Sequence, residues 1–204
     1  MSTALARLLN DIAALPRPQH RHLVALAGPP AAGKSTLARD LVAALTARGQ
    51  GAILVPMDGF HLDNAVLDRR GLRARKGAAE TFDAAGFVHA MRRLTQEGEV
   101  ILPDFDRAAD LSVAGRIVVG PEHGIAVVEG NYLCCAQAPW HELMPLWSLA
   151  AFIDAPDEVL RDRLVRRWLD HGLSPDEAAA RAGDNDMRNV AFIRQTRIPG
   201  VPGL

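Results

Sequence analysis

The sequence predicts a three-layer α/β/α domain on a mostly parallel sheet, with a small helical lid. Three observations carry that prediction. A short apolar run at 22–27 leads into a Gly/Pro-rich loop at 28–33 and then a helical pattern at 36–48. Further short apolar runs at 52–56, 125–128 and 147–153 have strand length and lie apart from one another. Helical periodicities separate most of them, which is the layout of strands connected by crossover helices. With 204 residues, the expectation is one domain covering 1–204, its lid at about 161–186.

In chain order, leucines and alanines at helical spacing predict an amphipathic helix from Ser2 to Ala14, ended by Pro16 and Pro18. Residues 22–27 read as a buried strand. Thr36 to Arg48 reads as a helix stopped at Gly49, with its start near Lys34. Ala52 to Pro56 reads as a second buried strand, and Asp58 follows it. The stretch 62–83 is polar, contains glycine and carries Arg69, Arg70, Arg73, Arg75 and Lys76. Phe82 to Gln96 reads as a helix with Phe87, Met91 and Leu94 as its apolar stripe. Leu102 to Arg107 reads as a turn or loop. Arg116–Val119 and Ile125–Val128 read as hairpin-like strands around 120–124, and Trp147–Ile153 as another strand. Asp157 to His171 is a basic helix stopped by Gly172. Ser174 and Glu177 form a capping box, with Pro175 at the first position of a helix running to about Ala182. Asp184 to about Arg194 reads as a last, separate helix.

Composition narrows the function classes. A formal net charge of -1 does not fit a nucleic-acid-coating or membrane-surface protein. The local basic clusters at 69–76 and 161–167 suit a small anionic ligand. Cys134 and Cys135 are adjacent and no C-x-x-C pair exists, so neither a structural disulfide, a zinc ribbon nor a thioredoxin-like site is indicated. His61 and His89 lack partners at metal-ligand spacing. There is no signal-peptide layout and no apolar run of membrane-spanning length, so a soluble, cytoplasmic protein is expected. Trp140, Trp147 and Trp168 are most simply packing residues.

Chemistry concentrates in the first loop. Gly28, Pro29, Pro30, Ala31, Ala32, Gly33, Lys34 and Ser35, followed by Thr36, fill the pattern G-x-x-x-x-G-K-[ST]. The two glycines let successive backbone N–H groups face a phosphate. Lys34 reaches the β- and γ-phosphates, the Ser35 hydroxyl suits Mg²⁺, and a helix starting there adds its positive end. The strand–loop–helix context makes a nucleoside triphosphate the expected ligand. Glu129 ends an apolar strand, where a carboxylate can hold a Mg²⁺-bound water; the alternative is a strand-end residue facing solvent. Asp58 follows a strand's carboxyl end and can act as general base, or can simply form the turn before Gly59. Arg163, Arg166 and Arg167 share a helix and suit charge growing on a transferred phosphate, or form a solvated basic face. His61, Arg75, Lys76, Asp106, Arg107 and Asn131 are acceptor-side candidates because they follow sheet elements on loops.

Taken together, these stretches resemble the phosphate-loop (P-loop) kinases that include pantothenate kinase, uridine kinase and phosphoribulokinase. Residues 28–36 look like the family's loop, and Met57–His61 is similar to the segment whose acid serves as catalytic base. Arg75–Asp83 looks like pantothenate kinase's R-K-G-x-P-E-x-x-D, with Ala79 in place of the proline. Val128–Gly130 matches the acidic strand end, and Arg163–Arg167 is similar to uridine kinase's lid R-L-x-R-R. Departures lie at Pro103–Arg107 and in the lid after His171. The combination most resembles small bacterial members described as fructose transport system kinases or nucleoside-kinase-like proteins, and Asp186 and Asn189 belong to that subgroup's pattern.

The resemblance implies a P-loop NTPase fold with ATP and Mg²⁺ as cofactors. It implies transfer of the γ-phosphate to a hydroxyl of a small metabolite, such as the sugar fructose, with a nucleoside or pantothenate as alternatives. In that scheme Asp58, Lys34, Arg163 and Arg167 are catalytic, Arg166 helps bind nucleotide, and Ser35 and Glu129 hold the metal. No nucleic acid or membrane partner is implied, and a homodimer is the expected assembly. The rival class is a regulatory nucleotide-binding protein without an acceptor; the sequence lacks the N-K-x-D guanine signature.

Overall fold

The computed structural model describes residues 2–204. Helix α1 (Thr3–Ala13) starts where the Ser2 side chain accepts from the Leu5 N–H, and buries Leu5, Leu8, Leu9 and Ile12. Strand β1 (His22–Ala27) leads through the loop to α2 (Lys34–Ala47) and β2 (Ala52–Pro56). A 3₁₀ turn over Met57–Phe60 precedes α3 (Asn64–Arg69), a short helix within the polar 62–83 stretch. Helix α4 (Ala84–Gln96) begins two residues after Phe82, because the Asp83 carboxylate caps it by accepting from the Gly86 N–H at 2.9 Å. The remaining elements are β3 (Val100–Asp106), β4 (Leu111–Val119), β5 (Ile125–Gly130), β6 (Leu149–Phe152), α5 (Asp157–Asp170), α6 (Pro175–Arg181) and α7 (Met187–Gln195).

Strands β2, β5, β1 and β6 form one parallel sheet in that order. Alternation along β1 explains the three layers. Leu23, Ala25 and Ala27 face a core shared with Phe87, Met91, Tyr132 and Trp140. Val24 and Leu26 face the opposite core with Leu8, Leu41, Leu45 and Leu160. All four strands end on one side of the molecule, so the loops after β1, β2, β5 and β6 meet there.

The structure corrects two local expectations. Residues 102–106 are not a loop: they belong to β3, which pairs antiparallel with β4 in a separate two-stranded ribbon, and only Arg107 lies in the turn after it. Arg116–Val119 therefore pairs with β3 and not with Ile125–Val128, which joins the main sheet. Pro103 hides this strand from a sequence reading, and the register shift between Leu102 and Asp104 is the irregularity that accommodates it. The last helix is also not separate. Helix α6 continues through a π-turn over Ala182–Asp186 directly into α7, so Gly183 interrupts no helix. The expected capping box at Ser174 and Glu177 is present.

Gly28 is where the phosphate loop leaves the sheet, at φ 147°. A Cβ there would lie 1.9 Å from the Ile153 carbonyl oxygen, a backbone atom at the end of β6 that cannot swing aside. Gly28→Ala is therefore expected to cost roughly 2 kcal/mol or more, through overpacking and an unfavourable backbone angle together. Thermal melting should show a drop of at least several degrees; an unchanged melting temperature would mean that the loop relaxes freely.

Candidate active site

A cleft of about 1080 Å³ opens at the carboxyl ends of the parallel strands. One wall is the loop from Pro30 to Thr36. The others carry Asp58, His61, Lys76, Arg107, Glu129, Asn131, Arg163 and Arg167. Ala31 holds φ 63° and Gly33 φ 101°, and Gly33 caps α2, whose positive end faces the cleft.

Lys34 is buried at 6 % exposure. Its ammonium donates to the Pro29 carbonyl at 2.7 Å and to Asn131 Oδ1 at 2.8 Å. Burial pulls its pKa down to about 8, although Glu129 and Asp58 pull the other way. Ser35 Oγ donates to Glu129 Oε1 at 3.1 Å. Burial pushes the Glu129 carboxyl above its ordinary range, partly offset by Lys34 and Ser35. The hydroxyl and the carboxylate form a hard oxygen pair of the kind that shares Mg²⁺ with phosphate oxygens. Among the described residues no three His, Cys, Asp or Glu side chains gather into an all-protein metal cage.

Asp58 stands in the 3₁₀ turn after β2 and accepts from the Arg107 guanidinium at 2.6 Å. A Cβ on Gly59 would lie 2.3 Å from the Pro103 carbonyl oxygen, so this glycine lets the turn press against β3. His61 packs edge-on against Phe82 and Phe105, with ring centroids 4.0 and 4.9 Å apart. Burial lowers its pKa to about 4, and its Nδ1 is buried without a partner among the described residues. Lys76 is anchored by Asp110 Oδ1 at 2.7 Å and Asn64 Oδ1 at 2.8 Å. Arg163 donates to the Ala31 carbonyl at 3.0 Å, bringing α5 against the phosphate loop.

Three candidates point elsewhere. Arg75 does not line the cleft: it donates to Asn185 Oδ1 at 2.6 Å and Asn189 Oδ1 at 3.3 Å. Asp106 holds the turn between β3 and β4, accepting from the Ala108 and Ala109 N–H groups and from Arg116. Arg166 is exposed on α5, off the cleft that Arg163 and Arg167 line.

The structure also brings in side chains that sequence reasoning left without a role. Asn185, Asp186 and Asn189, in and after the π-turn, are 4, 8 and 3 % exposed. Asn185 links to Arg75 and to the Lys76 carbonyl. Trp168, expected only to pack, lines the cleft and donates its indole N–H to Asp186 Oδ2 at 2.6 Å. The available signal is a mostly polar run at 184–189, broken only by Met187, inside a helical pattern, where buried partners have to be supplied from distant segments.

A phosphate loop at the carboxyl end of a parallel sheet, with a Ser–carboxylate pair beside it, defines a P-loop nucleotide-binding protein of the α/β class. Comparison with known proteins narrows this. The chain is 37 % identical over 202 residues to a Schizosaccharomyces pombe protein provisionally named a uridine kinase, covering 94 % of this chain and 86 % of that one. It is 32 % identical to the pantothenate kinase of Rhodopseudomonas palustris over 157 residues, which is 72 % of this chain and 49 % of that enzyme. The crystal structure of a Silicibacter protein provisionally named a fructose transport system kinase superposes with a TM-score of 0.94 at 47 % identity, covering 100 % of this chain and 99 % of that one. No model of a known protein family matches the sequence. The chain belongs to the P-loop kinases, in the group that includes uridine and pantothenate kinases.

Proposed function

We propose that this chain is an ATP-dependent kinase that transfers the γ-phosphoryl group to a hydroxyl of a small metabolite, with a sugar such as fructose as the leading acceptor class. The observation that carries this reading is the position of Asp58. It shares one cleft with Lys34, Ser35 and Glu129, on the neighbouring loop of the same sheet end. A regulatory nucleotide binder needs no carboxylate there, whereas hydroxyl transfer needs an acceptor for the proton.

In this scheme the loop N–H groups and Lys34 bind the β- and γ-phosphates, so Lys34 leaves Asn131 for the phosphate oxygens. Ser35 and Glu129 would hold Mg²⁺, which would supply charge neutralisation for the phosphates. Asp58 exchanges Arg107 for the acceptor hydroxyl, orients it in line with the γ-phosphorus and takes its proton as the O–P bond forms and the bond to the leaving β-phosphate oxygen breaks. Helices α5 and α6 act as the lid, with Arg163 and Arg167 neutralising the transferred charge and excluding water, the competing acceptor. His61, Lys76 and Asn131 shape the acceptor side.

The test is ADP release from ATP·Mg²⁺ with fructose, other sugars, nucleosides and pantothenate offered separately. One acceptor should raise release well above the rate in water alone. Vigorous ADP release that no acceptor changes would favour the regulatory reading.

A further inference from the structure

The Asp58 carboxylate is covered from the solvent side of the cleft. Arg107 Nη2 donates to Asp58 Oδ2 at 2.6 Å, and the arginine side chain is 62 % exposed where the carboxylate beneath it is 25 % exposed. Of the arginines that line the cleft among the described residues, only Arg107 touches Asp58. Both ends of the contact are set by the backbone. Asp58 stands in the 3₁₀ turn that presses against β3, where a Cβ on Gly59 would lie 3.1 Å from the Asp104 Cα. Arg107 follows β3 directly, in the turn that Asp106 clamps by accepting from the Ala108 and Ala109 N–H groups at 3.1 Å each and from Arg116. The packing of these two elements therefore keeps the guanidinium beside the carboxylate at a high effective concentration.

This contact bears on what the cleft does with ATP before an acceptor arrives. A guanidinium is a pure donor that keeps its charge, so it neither accepts a proton nor passes one on. While it holds Oδ2, that oxygen is closed to a nucleophile. Water is the competing nucleophile: in line with the γ-phosphorus it would form the O–P bond, give its proton to Asp58 and expel ADP, leaving inorganic phosphate. A single water gains nothing from the rest of the cleft. An acceptor held by several groups brings enough binding to displace an ion pair this exposed, because such pairs are weak.

We propose that Arg107 is a latch on the base: it closes Asp58 Oδ2 against water until the acceptor hydroxyl displaces it, so that ATP is consumed only when an acceptor is present. This rests on the kinase reading above. Arg107 is a positioning residue in this role, acting through Asp58 and not on the phosphates.

The experiment measures release of ADP and inorganic phosphate by the full chain with ATP·Mg²⁺, first without acceptor and then with fructose, ribose, glycerol, uridine or pantothenate added separately. In Arg107→Gln the acceptor-free rate is expected to rise about tenfold or more, a part of the roughly 10²–10⁴-fold that a positioned base supplies. The factor by which an acceptor stimulates release falls accordingly. Arg107→Lys keeps a charge beside the base and should lie between the parent and Arg107→Gln. The double variant Asp58→Asn/Arg107→Gln should lose the rise, because the group set free is the carboxylate. A pair that merely held the turns together would move the rates with and without acceptor by the same factor. An acceptor-free rate that does not rise in Arg107→Gln, or a rise that survives in the double variant, overturns this inference, while stimulation of the parent by an acceptor leaves the kinase reading standing. A parent protein that hydrolyses ATP vigorously at a rate no acceptor changes overturns both.

Discussion

Replacing Asp58 by Asn is expected to lower acceptor-dependent ADP release by about 10²-fold or more at saturating ATP, with ATP affinity largely retained. The substitution is close to isosteric and the turn that carries it is fixed by the contact of Gly59 with Pro103, so the main loss is the carboxylate's charge and proton affinity. Arg107, which the carboxylate holds in the resting cleft, loses its partner at the same time. ATP binding should survive because the phosphate-binding N–H groups and Lys34 belong to the loop between β1 and α2 and to α2 itself, not to the turn that carries Asp58. Single-turnover kinetics with bound ATP separates the two effects. A transfer rate within about threefold of the parent would remove Asp58 as the base, whereas lost ATP binding would mean that Asp58 acts mainly through its field on Lys34.

Much of the cleft is legible from the sequence because its parts are local. The loop from Gly28 to Ser35 carries its function in consecutive residues, and Asp58 and Glu129 follow strands whose carboxyl ends the parallel topology brings together. The parts that were not legible are non-local. Among the described residues strand β3 pairs only with β4, in a ribbon where Pro103, Asp104 and Asp106 weaken the strand signal, so neither strand is identifiable without the other. Arg75 looks like an acceptor ligand because a basic residue on a loop is ordinarily free. Its hydrogen-bond partners, Asn185 and Asn189, lie 110 and 114 residues away, and only the looser ion pair with Glu80 at 3.6 Å is local. Trp168 and Asp186 likewise have meaning only as a pair across the π-turn, which no local periodicity announces. The resemblance pointed to Asp186 and Asn189, and only their packing shows what those side chains hold.

Lys34→Met is expected to abolish transfer, by about 10³-fold or more, and at the same time to stabilise the protein. The stabilisation follows from burial. Lys34 titrates at about 8 in the fold against 10.5 when unperturbed, so its charged form is held against a desolvation cost at neutral pH. Between those two values the unfolded chain binds more protons than the native one, so this residue's contribution makes stability rise with pH; below about 8 both states are protonated and the full cost remains. A shift of that size corresponds to about 3 kcal/mol at most. Methionine leaves Asn131 Oδ1 and the Pro29 carbonyl without their donor, which returns part of the gain, so a net stabilisation of roughly 1–2 kcal/mol at pH 7 is expected. Paired thermal melts at pH 7 and pH 10 provide the measurement. The variant should melt a few degrees higher at pH 7, and the gap should narrow by pH 10, where the native lysine is already neutral. A variant that melts lower at both pH values by the same margin would show that the two hydrogen bonds outweigh the buried charge. The narrowing would establish the opposite: that this loop holds its lysine charged at a cost to the fold, a cost that a bound phosphate removes.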